Sequence, residues 1–412
     1  MFHLLTSIVF ILLIFLVTYL VALKWPKISK IIFAALFVRF FVLILGFFFE
    51  LPESFFDAKT FEFIAWNWSQ NGFFGVFEYF PGAHPDFISW FYAIIYSLFG
   101  RNILLLKLIS LLLGVTNTFL GWYIVKKVYG DRFAINAGWF MALFPTLILY
   151  STLTLREVYI CFFLLTAMIG ILSWTRDKKF ISIIITLVSF IGATFFHGAL
   201  FLGAIVFLYF VIYDGIFSSV GLVNKNKLQK KHLSIFIVII FIITLYTTNN
   251  LRLPYLGYFD NFDISKVLIQ LKNQGTYTID GTLRYPEWFA INSIFEIVYK
   301  LPLRIMYFLF SPFITNVYEI KHLLGMIDSL FYIYLLNLIF RNRNRILKDP
   351  FLKIIFYMVL VYLILFSISV SNSGTAIRHR AKFVAIFIIL GAQFLHKITF
   401  KKETILRKKN NK

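Results

Sequence analysis

Long apolar runs, separated by short links that carry lysine and arginine, constrain this chain more than any other feature of its sequence. Most of the runs reach the roughly 17 to 25 residues that a helix needs to cross a bilayer. Of the 412 residues, 60% are hydrophobic and 14% are charged, so a soluble globular fold could not bury the apolar surface. The sequence therefore predicts an all-α, polytopic transmembrane helical bundle with about eleven spanning helices. The runs fall near 1–23, 31–50, 102–125, 133–150, 156–175, 180–197, 198–217, 233–248, 322–340, 352–371 and 382–398.

Charge, cysteine content and missing motifs exclude several classes of protein. The formal net charge is +21, but the lysines and arginines lie in short groups between apolar runs and form no basic stripe. That pattern is typical of membrane topology and not of nucleic-acid binding. The single cysteine, Cys161, rules out an intramolecular disulfide and a cysteine-based metal site. The sequence also lacks a Walker loop, a dinucleotide-binding fingerprint, HExxH and GxSxG. We expect membrane lipids as partners, and no nucleic acid.

The basic links predict how the chain sits in the membrane. Cytoplasmic loops are enriched in lysine and arginine, so the basic groups share one face if the amino terminus is outside and the carboxyl terminus is cytoplasmic. The apolar stretches 87–99 and 292–313 must then lie in the outer interface as helices that do not cross. We predict one integral domain over 1–412 in the cell membrane, with external loops at 51–101 and 249–321. The basic groups lie at 24–30, 126–132, 176–179, 225–231 and 341–348, and in the cytoplasmic tail 399–412.

The first external loop concentrates carboxylates in a chain that has few of them. Aromatic residues, glycines and prolines surround these acids, which indicates an ordered loop at the membrane surface. Asp57 precedes a helical pattern, so it could equally cap that helix. Oxygen ligands in this loop could bind a divalent cation, although no spacing calls for a metal site. Five of the 19 acidic residues fall here: Glu53, Asp57, Glu62, Glu78 and Asp86.

Cations concentrate in the later external segments. The last of these, predicted as a tight loop over 371–381, contains the motif GTAIRHR with Arg378, His379 and Arg380. The fork of an arginine side chain meets phosphate oxygens two at a time, which suits a phosphate ligand. Arg284 and Arg304 are flanked by aromatic residues, and each could bind phosphate or extend to lipid head groups. External cations run against the positive-inside trend, which favours a ligand role.

Several further ionisable residues fall in tight external turns. Arg156 and Glu157 follow a helix end at the outer surface, where ionisable groups are often functional. His197 lies between two apolar helices and could instead be a buried histidine that bonds a carbonyl. His84 and Asp86 flank a proline in the first loop, which also fits a simple turn. We take Glu157, His84, Asp86 and His197 as supporting residues of a site.

This division of charge suits one kind of chemistry. Moving a sugar from a lipid phosphate to a hydroxyl needs a carboxylate that takes the hydroxyl proton. It also needs cations that stabilise the leaving phosphate. Carboxylates in the first external loop and cations in the last would supply both groups if the two loops meet.

The segments that follow Asp57 occur in a recognisable order. They are DAKTFEFIAWNWSQNG, HPD at 84–86, FISWFYAIIYSLFG, KKVYGDRFAINAGWFMALFP and YSTLTLREVY. From Asp57 to Trp174 this order resembles the amino-terminal half of the polytopic GT-C fold glycosyltransferases. It is most similar to the family of the protein O-mannosyltransferases and the lipid A aminoarabinose transferase. The carboxyl-terminal half, with LPLRIMYFLFSPF at 301–313, resembles membrane proteins encoded in surface-polysaccharide clusters.

The resemblance implies Asp57 as the catalytic base and a polyprenyl-phosphate-linked sugar as the donor. The phosphate would be bound by Arg378, Arg380, His379, Arg284, Arg304 and Arg156, and the acceptor would be a lipid-linked glycan or a glycolipid. We expect an enzyme of surface-polysaccharide assembly that works at the outer leaflet. An oligosaccharide repeat-unit polymerase or ligase, of O-antigen type, is the first alternative. A flippase for lipid-linked sugars is the second, although a transporter should carry polar groups near the membrane midplane.

Overall fold

A computed structural model describes residues 2–220, 284–313 and 320–395. Over these residues the chain forms helices joined by short links, with one isolated β-bridge between Arg284 and Asn372. The predicted all-α class is therefore confirmed. The helices in chain order are α1 (Phe2–Lys24), α2 (Ser29–Phe48), α3 (Phe56–Ser69), α4 (Gly72–Gly75), α5 (Phe87–Phe99), α6 (Ile103–Tyr129), α7 (Asp131–Leu143), α8 (Pro145–Tyr150), α9 (Glu157–Asp177), α10 (Phe180–Phe196), α11 (Phe201–Val220), α12 (Ile294–Phe310), α13 (Ile320–Arg341), α14 (Arg343–Lys348), α15 (Pro350–Ser369), α16 (Ser373–Ala381) and α17 (Val384–Gly391).

Six of the described helices are long and apolar enough to cross a membrane, and the chain is a multi-pass membrane protein. Four shorter apolar helices accompany them, at Phe87–Phe99, Phe180–Phe196, Gly198–Asp214 and Val384–Phe394. The predicted number of about eleven spans stays a prediction. The run 233–248, the first part of the loop 249–321 and the tail 399–412 lie outside the described residues. The six candidate spans are His3–Lys24, Pro26–Phe48, Ile103–Tyr129, Glu157–Asp177, His322–Arg341 and Pro350–Ser369.

The bundle is built around α6 and α9. These two helices pack against each other, and α7 and α10 pack against them in turn. The small residue Gly170 allows α9 and α10 to approach closely, since a Cβ atom there would lie 2.9 Å from the carbonyl oxygen of Ser182. Small residues serve this purpose in membrane helix pairs because they bring the backbones together. The buried faces of α6 and α9 form the centre of the hydrophobic core.

The apolar run 133–150 is two helices and not one. Helix α7 ends at Leu143, Phe144 is extended, and Pro145 begins α8. A proline lacks an amide hydrogen and disfavours a helical residue before it, so the helix cannot continue through Pro145. The break redirects the chain and leaves the phenol of Tyr150 buried at the end of α8.

The predicted tight loop at 371–381 is largely a helix, α16. Asn372 caps it, because its side-chain oxygen accepts a hydrogen bond at 2.8 Å from the backbone N–H of Thr375. Asparagine is among the preferred residues at this position. The helix is mostly buried, and its basic side chains point into the protein instead of toward solvent. Helices also form in both stretches that we predict to be interfacial, as α5 and α12.

Candidate active site

Arg378 lies between two carboxylates that come from distant parts of the chain. Its Nη1 atom donates to Oδ2 of Asp57, and its Nε atom donates to Oε1 of Glu157 at 2.6 Å. Asp57 is in the first turn of α3, Glu157 begins α9, and Arg378 is on α16. The structure thus brings together the predicted base, a predicted phosphate-binding residue and a predicted supporting residue.

The two carboxylates differ in exposure. The side chain of Asp57 is 51% exposed, whereas that of Glu157 is 2% exposed. Burial alone would lower the pKa of Arg378, but Glu157 and Asp57 raise it above its ordinary value. The guanidinium is therefore permanently charged. Phe55 and not Asp57 is the N-cap residue of α3, and the carboxylate of Asp57 accepts from Arg378.

Two more cations lie beside Arg378. Arg156, which precedes α9, interacts electrostatically with Arg378, Glu157 and Asp57. Lys382 is 1% exposed, follows α16, and interacts with Glu157, Arg156 and Arg378. Burial, which is the largest cause, holds the pKa of Lys382 well below its ordinary value; Glu157 opposes this shift, and Arg156 and Arg378 add to it. An anion beside these three basic groups would favour their charged forms.

Two of the guanidinium groups also have unused donors. Within the described part of the chain, Nη2 of Arg378 and Nε of Arg156 are buried and have no hydrogen-bond partner. Nη1 of Arg156 donates to the carbonyl of Phe196 at 3.3 Å. Buried donors are nearly always satisfied in native proteins, so the pair of free donors points to a ligand that accepts hydrogen bonds. The donor set fits a phosphate group, whose oxygens accept several hydrogen bonds.

The two candidate histidines meet at the same place. The rings of His197 and His379 have centroids 5.2 Å apart, and Nδ1 of His379 is 3.0 Å from Nζ of Lys382. Burial first, and then the charge of Lys382, the neighbouring imidazole of His197 and the charges of Arg156 and Arg378, hold the pKa of His379 well below its ordinary value. His379 is therefore neutral at physiological pH. Nδ1 of His197 has no partner among the described residues, so the expected carbonyl bond from that atom is not seen.

Arg380 and Arg304 are used inside the protein and do not reach this cluster. Arg380 is fully buried, donates to Oδ2 of Asp328 at 2.8 Å, and satisfies the carbonyls of Leu309, Ser311 and Gly325. Arg304 donates to carbonyls near the end of α15, including that of Ser367 at 2.9 Å. Both guanidinium groups join neighbouring helices. These contacts engage both groups, and the phosphate-binding role of Arg380 and Arg304 stays a prediction.

The remaining predicted residues lie at the edge of the cluster. Arg284 has an exposed side chain, and its backbone pairs with Asn372 at the start of α16. Nδ1 of His84 lies 3.2 Å from Oδ2 of Asp86, a local contact that fits a simple turn. Asp86 also interacts electrostatically with Arg156, which links the turn to the cluster. Within the described residues, no group of three or more His, Cys, Asp or Glu side chains could hold a metal ion.

Three buried residues are not among the site residues that the sequence predicts. Tyr150 is buried and interacts electrostatically with Glu157 and Arg378, but an aromatic at the end of an apolar run gives no signal of its own. Asp328, the partner of Arg380, is an isolated acid within a spanning helix. Arg39 is an isolated cation within another span. An ionisable residue inside an apolar run indicates a function or a buried partner. This signal in the sequence points to Asp328 and Arg39.

No family model matches this chain, and no curated protein matches it in sequence. Among solved structures, its fold is similar to that of the archaeal oligosaccharyltransferase AglB from Archaeoglobus fulgidus, in complex with an inhibitory peptide and a dolichol-phosphate. The TM-score is 0.51 and the sequence identity is 13%. The fold is GT-C-like. The similarity covers 90% of this chain and 50% of the other, so the chain spans about half the length of that protein.

Proposed function

We propose that this protein is a membrane glycosyltransferase that moves a sugar from a polyprenyl-phosphate-linked donor to a lipid-linked glycan or a glycolipid. The reaction would take place at the outer leaflet, in the assembly of a surface polysaccharide. The observation that carries the proposal is the position of Arg378, which bonds the half-exposed Asp57 and lies beside Arg156 and Lys382. The GT-C-like fold, and a similar protein whose structure contains a dolichol-phosphate, support the same chemistry.

Asp57 acts as the base in this mechanism. It takes the proton of the acceptor hydroxyl while the hydroxyl oxygen attacks the anomeric carbon of the donor sugar. The bond between that carbon and the phosphate oxygen breaks, and its electron pair stays on the phosphate. A single displacement of this kind inverts the configuration at the anomeric carbon.

Arg378 couples the base to the donor. In the structure its Nη1 atom donates to Oδ2 of Asp57, so the guanidinium engages that carboxylate. A donor phosphate that accepts from Nη1 and Nη2 of Arg378 would compete with Asp57 for the guanidinium. The Asp57 carboxylate would then be released from its ion pair. Arg156 and Lys382 then stabilise the charge that develops on the leaving phosphate. The donor should therefore bind before the acceptor is deprotonated.

A repeat-unit polymerase or ligase is the second candidate. It is favoured by the contrast in burial, because the cations are held tightly while Asp57 is half exposed and already ion-paired. In that case Arg378, Arg156 and Lys382 would carry the reaction, and Asp57 would only position Arg378.

The test is sugar transfer from polyprenyl-phosphate-linked donors by the purified protein in liposomes. We expect Asp57→Asn to lower the rate by about 10²- to 10⁴-fold, because a general base contributes that much. Arg378→Ala should lower it as well. Glu78→Gln is the matched control, since Glu78 is an exposed acid of the same loop, and it should transfer at the normal rate.

The outcomes separate the candidates. Full transfer by Asp57→Asn would remove Asp57 as the base, and loss in Arg378→Ala alone would favour the polymerase or ligase. If both variants transfer normally but move less lipid-linked sugar across the bilayer, the protein is a flippase. Protein level and monodispersity must match the wild type in each comparison.

A further inference from the structure

A small cavity lies inside the bundle and is lined in part by the buried Glu157. Residues of α2, α6, α7, α8, α9 and the stretch at 381–385 line it, and its volume is about 10 Å³. A space of this size holds roughly one water molecule. Three of the lining helices, α2, α6 and α9, are candidate membrane spans.

Four of the lining residues carry a buried polar atom that has no hydrogen-bond partner within the described residues. The atoms are Nε of Arg39, Oδ1 of Asn117, the hydroxyl oxygen of Tyr150 and Oε2 of Glu157. An unsatisfied buried polar group is destabilising, and an unsatisfied charged group is more so. Buried polar atoms nearly always have a hydrogen-bond partner, so four such atoms around one cavity indicate a bound molecule.

Arg39 is the most costly of the four. Its side chain is 1% exposed, within the span Pro26–Phe48, and it forms no ion pair with a described residue. Its Nη1 atom donates to the carbonyls of Ala35 and Ala142, each at 3.1 Å, which leaves Nε directed elsewhere. Gly114 makes room for it, since a Cβ atom there would lie 2.8 Å from that Nε.

The chemistry of the four atoms identifies the ligand. Nε of Arg39 can only donate, and Oδ1 of Asn117 and Oε2 of Glu157 can only accept, while the Tyr150 hydroxyl can donate. A bound anion would need donors alone, and a bound cation would need acceptors alone. Two donors and two acceptors complement a molecule that has two acceptor sites and two hydrogens. We propose that a single ordered water binds in this cavity and connects Arg39 to Glu157.

The water gives Arg39 a role in the candidate active site. Glu157 accepts from Arg378 through Oε1, and the water would donate to its other oxygen, Oε2. Glu157 is then held from both sides, and with it the guanidinium that meets Asp57. Arg39 is a positioning residue, because it acts through the water and through Glu157. The water site itself does not depend on the proposed function, whereas the effect of Arg39 on transfer does.

Infrared spectra and a map at a resolution that shows ordered waters test the site. We expect density within hydrogen-bond distance of Nε of Arg39 and Oε2 of Glu157. We also expect an O–H band of a strongly bonded water that shifts when the protein is exchanged into H₂¹⁸O. The band should be lost in Arg39→Met and displaced in Tyr150→Phe, which removes one donor and keeps the ring.

Tyr362→Phe is the matched control. Tyr362 is also buried and bonds the carbonyl of Leu200 at 2.9 Å, but it does not line the cavity. Its loss should leave the water band unchanged, even if it lowers stability. Tyr150→Phe also keeps the test open if Arg39→Met fails to fold. A map with a direct contact between Arg39 and Glu157, halide density in the cavity, or equal bands in the wild type and Tyr150→Phe would overturn the proposal.

Transfer measurements then test the positioning role separately. Arg39→Met should reduce transfer at least tenfold, and Arg39→Lys, which keeps a charged donor, should restore most of it. Normal transfer by Arg39→Met with the water band lost would overturn the positioning role and leave the water site supported. Transfer that fails in Asp57→Asn and Arg378→Ala but not in Arg39→Met would leave the proposed function intact.

Discussion

Arg378 and Arg380 show how two residues of the same type, two positions apart, acquire different tasks. Residues i and i+2 point to nearly opposite sides of a helix, which has 3.6 residues per turn. On α16 this sends Arg378 to Asp57 and Glu157, and Arg380 to Asp328 on α13. Interpreted as a loop, the motif GTAIRHR predicts both as phosphate-binding residues. The two side chains have different partners because the motif forms a helix.

Arg380 should therefore matter for stability. Removing one partner of a buried ion pair leaves an uncompensated charge and costs about 3–5 kcal/mol. We expect Arg380→Met to lower the unfolding temperature of the purified protein strongly. Asp328→Asn combined with Arg380→Met should regain part of the loss, because neither charge is then left alone.

The exposed Arg343 on α14 provides the control, and Arg343→Met should unfold at the wild-type temperature. If Arg380→Met is as stable as this control and loses donor binding, Arg380 belongs to the site after all.

At the scale of elements, the short helix α16 decides whether the site forms. Its cap, Asn372, is also paired through its backbone with Arg284, so the segment at Arg284 holds the start of the helix in place. Asn372→Ala should destabilise α16 by about 1 kcal/mol, the usual cost of losing a cap. Because α16 carries Arg378, sugar transfer should fall while the overall fold is retained.

Asn71→Ala is a suitable comparison for this experiment. Asn71 precedes the short helix α4, is exposed, and makes no side-chain capping bond. It should leave both transfer and unfolding temperature unchanged. Equal transfer by Asn372→Ala and Asn71→Ala would show that the cap does not position Arg378.

For the whole molecule, apolar periodicity and charge predict the membrane class and most helix positions, but not how the helices associate. The sequence predicts four of the site residues because each is an ionisable residue in an apolar chain: Asp57, Glu157, Arg156 and His379. That Glu157 would bond Arg378, or that Arg39 would be buried, depends on packing between segments hundreds of residues apart. Side-chain patterns within one segment carry no information about such partners.

The orientation in the membrane is a further prediction for the whole molecule. The basic links place residue 78 outside and residue 343 in the cytoplasm. The native Cys161 is buried, so it should not react with a membrane-impermeant maleimide. Glu78→Cys should be labelled in intact cells, and Arg343→Cys should be labelled only after the membrane is permeabilised. The reverse pattern would invert the topology and place the proposed reaction on the cytoplasmic side.

The ion pair between Asp57 and Arg378 also has a consequence in time. Its two residues are 321 positions apart, so one partner enters the membrane long before the other has been made. At about 5–20 residues per second, translation alone separates them by roughly 15 to 65 s. During that interval Asp57 lacks the arginine that it pairs with. The proposed site therefore assembles only after Arg378 has been made.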